Sequence, residues 1–141
     1  LAVKVAAPQL IGAVLTGERR IIPITGGRFE GLKMRGDILS GGADWQIVAA
    51  DGTALLEARY TLRTDDGALI YVRNTGLRHG PPEALAAIAR GEQVDPSRYY
   101  FRAQPTFETG APKYAWLNRL LAVCSGVRTK EEVLLDFYEV K

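Results

Sequence analysis

Two Asp-Gly pairs, Asp51-Gly52 and Asp66-Gly67, bracket a ten-residue alternating run, and this arrangement constrains the fold more than anything else in the chain. Glycine accepts the positive φ that a tight hairpin turn needs, so each pair reads as a turn joining antiparallel strands. Between them Ala54–Arg63 alternates apolar and polar residues, and Ala68–Leu77 does the same after the second turn. The rhythm continues along the chain, with strands expected at Leu1–Val5, Gln9–Leu15, Arg20–Thr25 and Phe29–Leu39, the last broken at Gly31 or Gly36. Further strands are expected at Asp44–Ala49, Tyr99–Gln104, Trp116–Val123 and Val133–Val140, with a break at Gly26-Gly27. Ten short strands without interleaved helices specify an all-β protein, a barrel or a sandwich. One helix interrupts them. Pro81-Pro82 opens it, Glu83 suits its positive end and Gly91 closes it, with Leu85, Ile88 and Ala89 on one face. It is about two turns long, so it must rest on the sheet, where it can cap one mouth of a barrel.

Composition narrows the class. A chain of 141 residues, 47% hydrophobic and 24% charged, is expected to form one domain over residues 1–141. The net charge of +2 is dispersed, with no basic cluster to follow a phosphate backbone, so a nucleic-acid partner is not expected. No apolar run approaches the roughly 20 residues of a membrane span. The lone Cys124 leaves no intrachain disulfide and fits a reducing compartment. The opening residues read as a strand and not as a signal peptide, and a cytoplasmic location follows as the expectation.

Strand parity gathers the candidate functional residues. Asp44 and Gln46 share one face, as do Glu57 and Arg59, Tyr71 and Arg73, Tyr100 and Arg102, and Trp116 and Asn118. Strands of a closed barrel alternate lumen and exterior, so these faces can converge on an interior site that mixes aromatic and fixed polar groups. Asp44 is the leading base. Arg73 and Arg102 would stabilise a developing enolate, while Gln46, Glu57, Arg59, Tyr71, His79, Trp116 and Asn118 would bind and orient a ligand. Equally, each polar face can meet solvent while the apolar faces fill the lumen, with Glu57 and Arg59 forming an ordinary ion pair. His79, next to Gly80-Pro81, is either a general base or an anchor for its turn. One His and one Cys make no metal site, and Cys124 reads as a small buried apolar group. Ile24–Gly31 is glycine-rich but lacks the Gly-Lys-Ser/Thr ending of a phosphate loop, so a bulge or bend at a barrel corner explains its glycines better.

Several segments in fixed order carry a resemblance. They are Gly41–Gln46, Glu57–Leu62, Tyr71–Gly76, Tyr99–Arg102, Tyr114–Asn118 and Leu135–Tyr138. Together they resemble the DUF3237 family, also called UPF0311, over most of the chain from about Ile22 onward. The resemblance implies a closed antiparallel β-barrel of calycin-like appearance, often self-associating, and it implies no particular reaction. The expected function is binding of a small anionic or carbonyl-bearing molecule, with proton-transfer chemistry of the isomerase, cyclase or lyase type and no cofactor. The alternative is a non-catalytic interaction module with a packed lumen. Val133–Tyr138 is apolar on both faces, which points to a homodimer or higher homo-oligomer.

Overall fold

A computed structural model describes all 141 residues, Leu1–Lys141. Ten strands run Ala2–Val5 (β1), Gln9–Val14 (β2), Gly17–Glu30 (β3), Arg35–Ile38 (β4), Gly42–Val48 (β5), Ala54–Thr64 (β6), Leu69–His79 (β7), Tyr100–Glu108 (β8), Leu121–Arg128 (β9) and Glu132–Val140 (β10). One α-helix, Pro82–Ala89 (α1), and two 3₁₀ segments, Pro96–Arg98 and Pro112–Arg119, complete the chain. All pairings are antiparallel. The sheet closes because β1 pairs β10 on one side and β3 on the other. Eight strands make the wall (β1, β3, β5, β6, β7, β8, β9 and β10); of the two extra strands, β4 bridges β3 and β6 beyond the end of β5, and β2 is attached to β3 alone. The expected all-β closed barrel of about ten strands is the fold observed.

Parity decides the core. In β6, Leu56, Tyr60 and Leu62 point inward; in β7, Ile70 and Val72; in β8, Phe101, Ala103 and Phe107. Leu62, Ile70 and Val72 are at most 1% exposed and form the packed floor of the lumen. Helix α1 spans the opposite end. A side chain at Gly52, in the β5–β6 turn, would meet Leu85 Cδ1 at 3.2 Å, and Gly91 lies against Lys130 of the β9–β10 turn. Its buried positions are Ala84 and Ile88; Leu85 is half-buried and Ala89 faces water, because the helix leans on the rim with a face one residue earlier than the spacing suggested. No helix is long and apolar enough to cross a membrane.

Two expected boundaries differ. Gly26-Gly27 does not end a strand; β3 runs through it while exchanging partners, from β5 to β4 on one edge and from β2 to β1 on the other. Gly27 has φ +140°, and a Cβ there would sit 2.1 Å from the Ala2 carbonyl oxygen, so glycine permits the close approach that closes the barrel. The strand expected at Trp116–Val123 begins only at Leu121. Pro112 opens a 3₁₀ turn instead, and Asn118 clamps its end by accepting from the Thr109 N–H and donating to the Thr109 carbonyl, both at 2.9 Å.

Because Leu62 has no room to be replaced by water, Leu62→Ala should cost about 2–5 kcal/mol. Urea unfolding should show a lower midpoint with an unchanged slope, the sign of lost core packing within an intact barrel.

Candidate functional site

The inward faces of β7, β3 and β9 change from apolar to polar along their length, all toward the same end, and β5 adds two polar side chains beside them. β7 presents Ile70 and Val72, then Asn74 and Arg78; β3 presents Ile24 and Ile22, then Arg20. β9 ends its inward row at Arg128, and β5 contributes Asp44 and Gln46. The antiparallel register brings these polar ends together under α1, around a cavity of about 50 Å³. Its wall includes Asp44, Gln46, Tyr60, Asn74, Arg78 and Arg128, set among apolar side chains such as Val5, Ile22 and Phe101.

Asp44 sits at a gap in the wall. The β5–β6 ladder pairs Asp44 with Ala58 and resumes only at Ile47 with Leu55. In the gap the Glu57 N–H donates to Asp44 Oδ1 at 2.9 Å, while Arg19 Nη1 donates to the Trp45 carbonyl at 3.1 Å. Gln46 Nε2 donates to Asp44 Oδ2 at 2.8 Å, and Arg20 Nη2 donates to Gln46 Oε1 at 2.7 Å. Gln46, 2% exposed, is therefore the bridge between a carboxylate and a guanidinium. Burial raises the Asp44 pKa above the ordinary carboxylate range; the bonds from Gln46 and the Glu57 amide, and the charges of Arg78 and Arg20, oppose that shift without cancelling it.

Positive charge dominates the rest of the site. Burial, with Arg20 and Arg128 nearby, brings the Arg78 pKa down to about 10, so it remains a cation at neutral pH. Arg20 and Arg128 are also lowered, chiefly by burial. The Arg78 guanidinium lies 5.7 Å from the Phe101 ring centre, and Phe101 rests on the bare backbone of Gly126. Arg128 Nη1 donates to the Thr129 and Glu132 carbonyls. Four buried polar atoms have no partner: Arg20 Nε, Tyr60 Oη, Asn74 Oδ1 and Arg78 Nε. Such orphans are costly, and they belong to residues gathered at this end of the lumen.

The other sequence candidates lie elsewhere. Glu57, Arg59 and Arg73 stand on the outer wall, where Glu57 Oε1 accepts from Arg59 Nη2 at 2.6 Å and from Arg73 Nη2 at 3.2 Å. Their parity is opposite to that of Leu56, Tyr60 and Asn74, which the core claims. Tyr71 shares that outer face. Arg102 is also outside, donating to the Phe101 carbonyl at 2.8 Å and lying 5.5 Å from the Tyr100 ring. His79 Nδ1 lies 2.9 Å from Thr53 Oγ1 on the exposed rim, as a turn anchor would. Trp116 is on the 3₁₀ turn near the other end of the barrel, under Lys33 Nζ at 4.7 Å. Asn118 clamps Thr109. No three His, Cys, Asp or Glu side chains gather as metal ligands. The residues that parity reading missed are Arg20, Tyr60, Asn74, Arg78 and Arg128. Their signal was present as inward faces that begin apolar and end polar.

The DUF3237 pattern, described as a protein of unknown function, matches residues 1–140. The chain belongs to the DUF3237 family. A UPF0311 protein of Clostridium acetobutylicum is 47% identical over 141 residues, covering 99% of this chain and 89% of that protein. The crystal structure of a conserved protein of unknown function from Rhodopseudomonas palustris superposes with a TM-score of 0.97 at 44% identity, covering 99% of this chain and 92% of that one. A more distant barrel, an enzyme from Penicillium herquei, superposes at 0.70 with 19% identity over 99% of this chain and 90% of its own, a likeness of fold alone. The DUF3237 barrel is thus shared closely with that solved protein of unknown function.

Two outcomes test this geometry. Gly126→Val should push Phe101 off its seat, because a Cβ at Gly126 would lie 2.7 Å from the ring; unfolding free energy should fall by about 1–3 kcal/mol. A raised folded pKa contributes stability that is full below the ordinary carboxylate value and lost as pH rises through the folded one. In urea titrations from pH 4 upward, the wild-type protein should therefore lose stability relative to Asp44→Asn. The opposite trend would mean that the ionised carboxylate is the favoured form.

Proposed function

We propose that this barrel binds a small anionic, carbonyl-bearing metabolite in the polar end of its lumen and moves a proton on it, as an isomerase, cyclase or lyase does. The observation that carries this reading is the Asp44 carboxylate, held by two amide donors beside buried guanidinium groups on a cavity wall. A carboxylate whose pKa is raised by burial holds an abstracted proton more strongly and is therefore the stronger general base. Arg78, with Arg20 and Arg128, takes the charge-stabilising role first given to Arg73 and Arg102. Donors fixed in a dry site strengthen as charge develops on substrate oxygen, and losing one such donor costs about 3–4 kcal/mol of transition-state stabilisation in other enzymes.

The competing reading is a non-catalytic module that assembles through its outer wall. It draws on the exposed strip Leu121, Val123, Tyr138 and Val140, where Tyr138 pairs with Val123 and Val140 with Leu121. Light scattering that returns a 15.4 kDa monomer at micromolar concentration would remove this reading.

The direct test of the catalytic reading uses short oxo acids and aromatic acids as probes. A probe that binds the folded state raises its melting temperature. In deuterated water, the protein should then speed loss of the α-proton NMR signal of that probe. Asp44→Asn should slow the exchange at least about 100-fold and keep the thermal shift. Undiminished exchange by the variant would overturn the role of Asp44.

A further inference from the structure

The unpartnered atoms of the lumen differ in chemistry and in depth. Arg78, 8% exposed, is nearest the mouth and offers an unsatisfied Nε–H from a cation. Asn74 is four residues deeper on the same strand, and Tyr60 lies on the neighbouring strand β6, opposite Val72. Both are at least 95% buried, with Asn74 Oδ1 and Tyr60 Oη unpartnered. Burial, with Cys124 and Asp44 nearby, raises the Tyr60 pKa far above its usual value, so the phenol stays protonated and can donate. The mouth thus wants an anion. At depth the Tyr60 phenol wants an oxygen that accepts from it, whereas Asn74 Oδ1, itself an acceptor, wants a donor.

Register places the base between these demands. Asp44 pairs with Ala58, and Ala58 with Asn74, so carboxylate and amide share one row across three strands. Arg20, opposite Gln46, lies one inward position nearer the mouth. The cavity volume of about 50 Å³ equals roughly four water-sized spheres. A ligand portion of that size must carry its anionic group and its neutral oxygen close together.

Building on the proton-transfer reading above, we propose that the lumen accepts a short 3-oxo acid, with its carboxylate on Arg78 at the mouth, its oxo oxygen accepting from Tyr60 Oη in the row below, and the intervening carbon facing Asp44. That carbon is acidified by the oxo group beside it. Asp44 takes its proton, the C–H electron pair enters the new C=C bond, and the carbonyl π pair moves onto the oxo oxygen as an enolate. The Tyr60 O–H donates to that oxygen as charge accumulates. Return of the proton from Asp44 restores the carboxylate, so no electron or group leaves the balance.

Calorimetric titration with acetoacetate, butyrate and acetone separates the contributions. Wild-type protein should bind acetoacetate at least about tenfold more tightly than butyrate, which lacks the oxo oxygen, or acetone, which lacks the carboxylate. Tyr60→Phe, which keeps the ring, should bring acetoacetate down to the butyrate level and leave butyrate unchanged. Arg78→Gln should weaken both acids alike. Equal affinity for acetoacetate and butyrate would overturn the inference, as would an unaltered preference in Tyr60→Phe. So would no heat from any of the three probes, the result expected of a lumen that holds only water. The proton-transfer reading fails separately: if Asp44→Asn keeps both the binding order and the exchange rate, the ligand class stands and the base does not.

Discussion

The pairing of β1 with both β10 and β3 is the constraint from which the rest of this structure follows. With it, an open sheet becomes a closed wall and every strand acquires an inside. Closure requires the β1 backbone to pass against Gly27, where any side chain would collide with the Ala2 carbonyl. Once the ring is closed, strand periodicity leaves no freedom: each residue is committed to lumen or exterior, and a one-residue shift would exchange the two sets. The glycine pair that looks like an interruption in the sequence is the corner on which this depends.

Within that wall the lumen is divided. One end is filled by Leu62, Ile70, Val72 and Phe107, a floor that supplies packing and excludes water. The other gathers three guanidinium groups around one carboxylate. Burying cations together is unfavourable unless something pairs them, and here Asp44 is the carboxylate whose charge bears on all three. The network from Arg20 through Gln46 to Asp44 orders the carboxylate and leaves Arg78 unpaired. Arrangements that cost stability and perturb several titrating groups in one cleft are the arrangements that binding and catalysis need.

The outer wall shows the opposite economy. Glu57 shared between Arg59 and Arg73, and Asp37 shared between Arg28 and Arg63, are half-exposed pairs in contact with water. Bridges of that kind contribute little, and their role is to keep a β-rich surface charged and solvated. They stand out in the sequence because arginines alternate with aromatics there. The same alternation that suggested a binding face was the pattern of a solvated one.

Local chemistry made much of this legible. Glycine turns, period-2 alternation and the Pro-opened helix are short-range signals, and they were enough to read the all-β class, α1 and most of the strands from the chain alone, while the Trp116–Arg119 stretch became a 3₁₀ turn. The shared face of Asp44 and Gln46 was equally readable, since two residues on one strand share a side wherever that strand lies. Which side faces inward was a different matter. Arg73 and Arg78 lie on one strand with opposite parity, and only closure of the ring, with Val72 and Ile70 claimed by the core, sends Arg78 in and Arg73 out. The convergence of Arg20, Arg78 and Arg128 likewise joins positions more than a hundred residues apart, through the register of neighbouring strands. The sequence by itself determined the elements and the alternation within each. The tertiary structure decided which half of every alternation became the lumen, because inside and outside are properties of a closed wall and not of any strand within it.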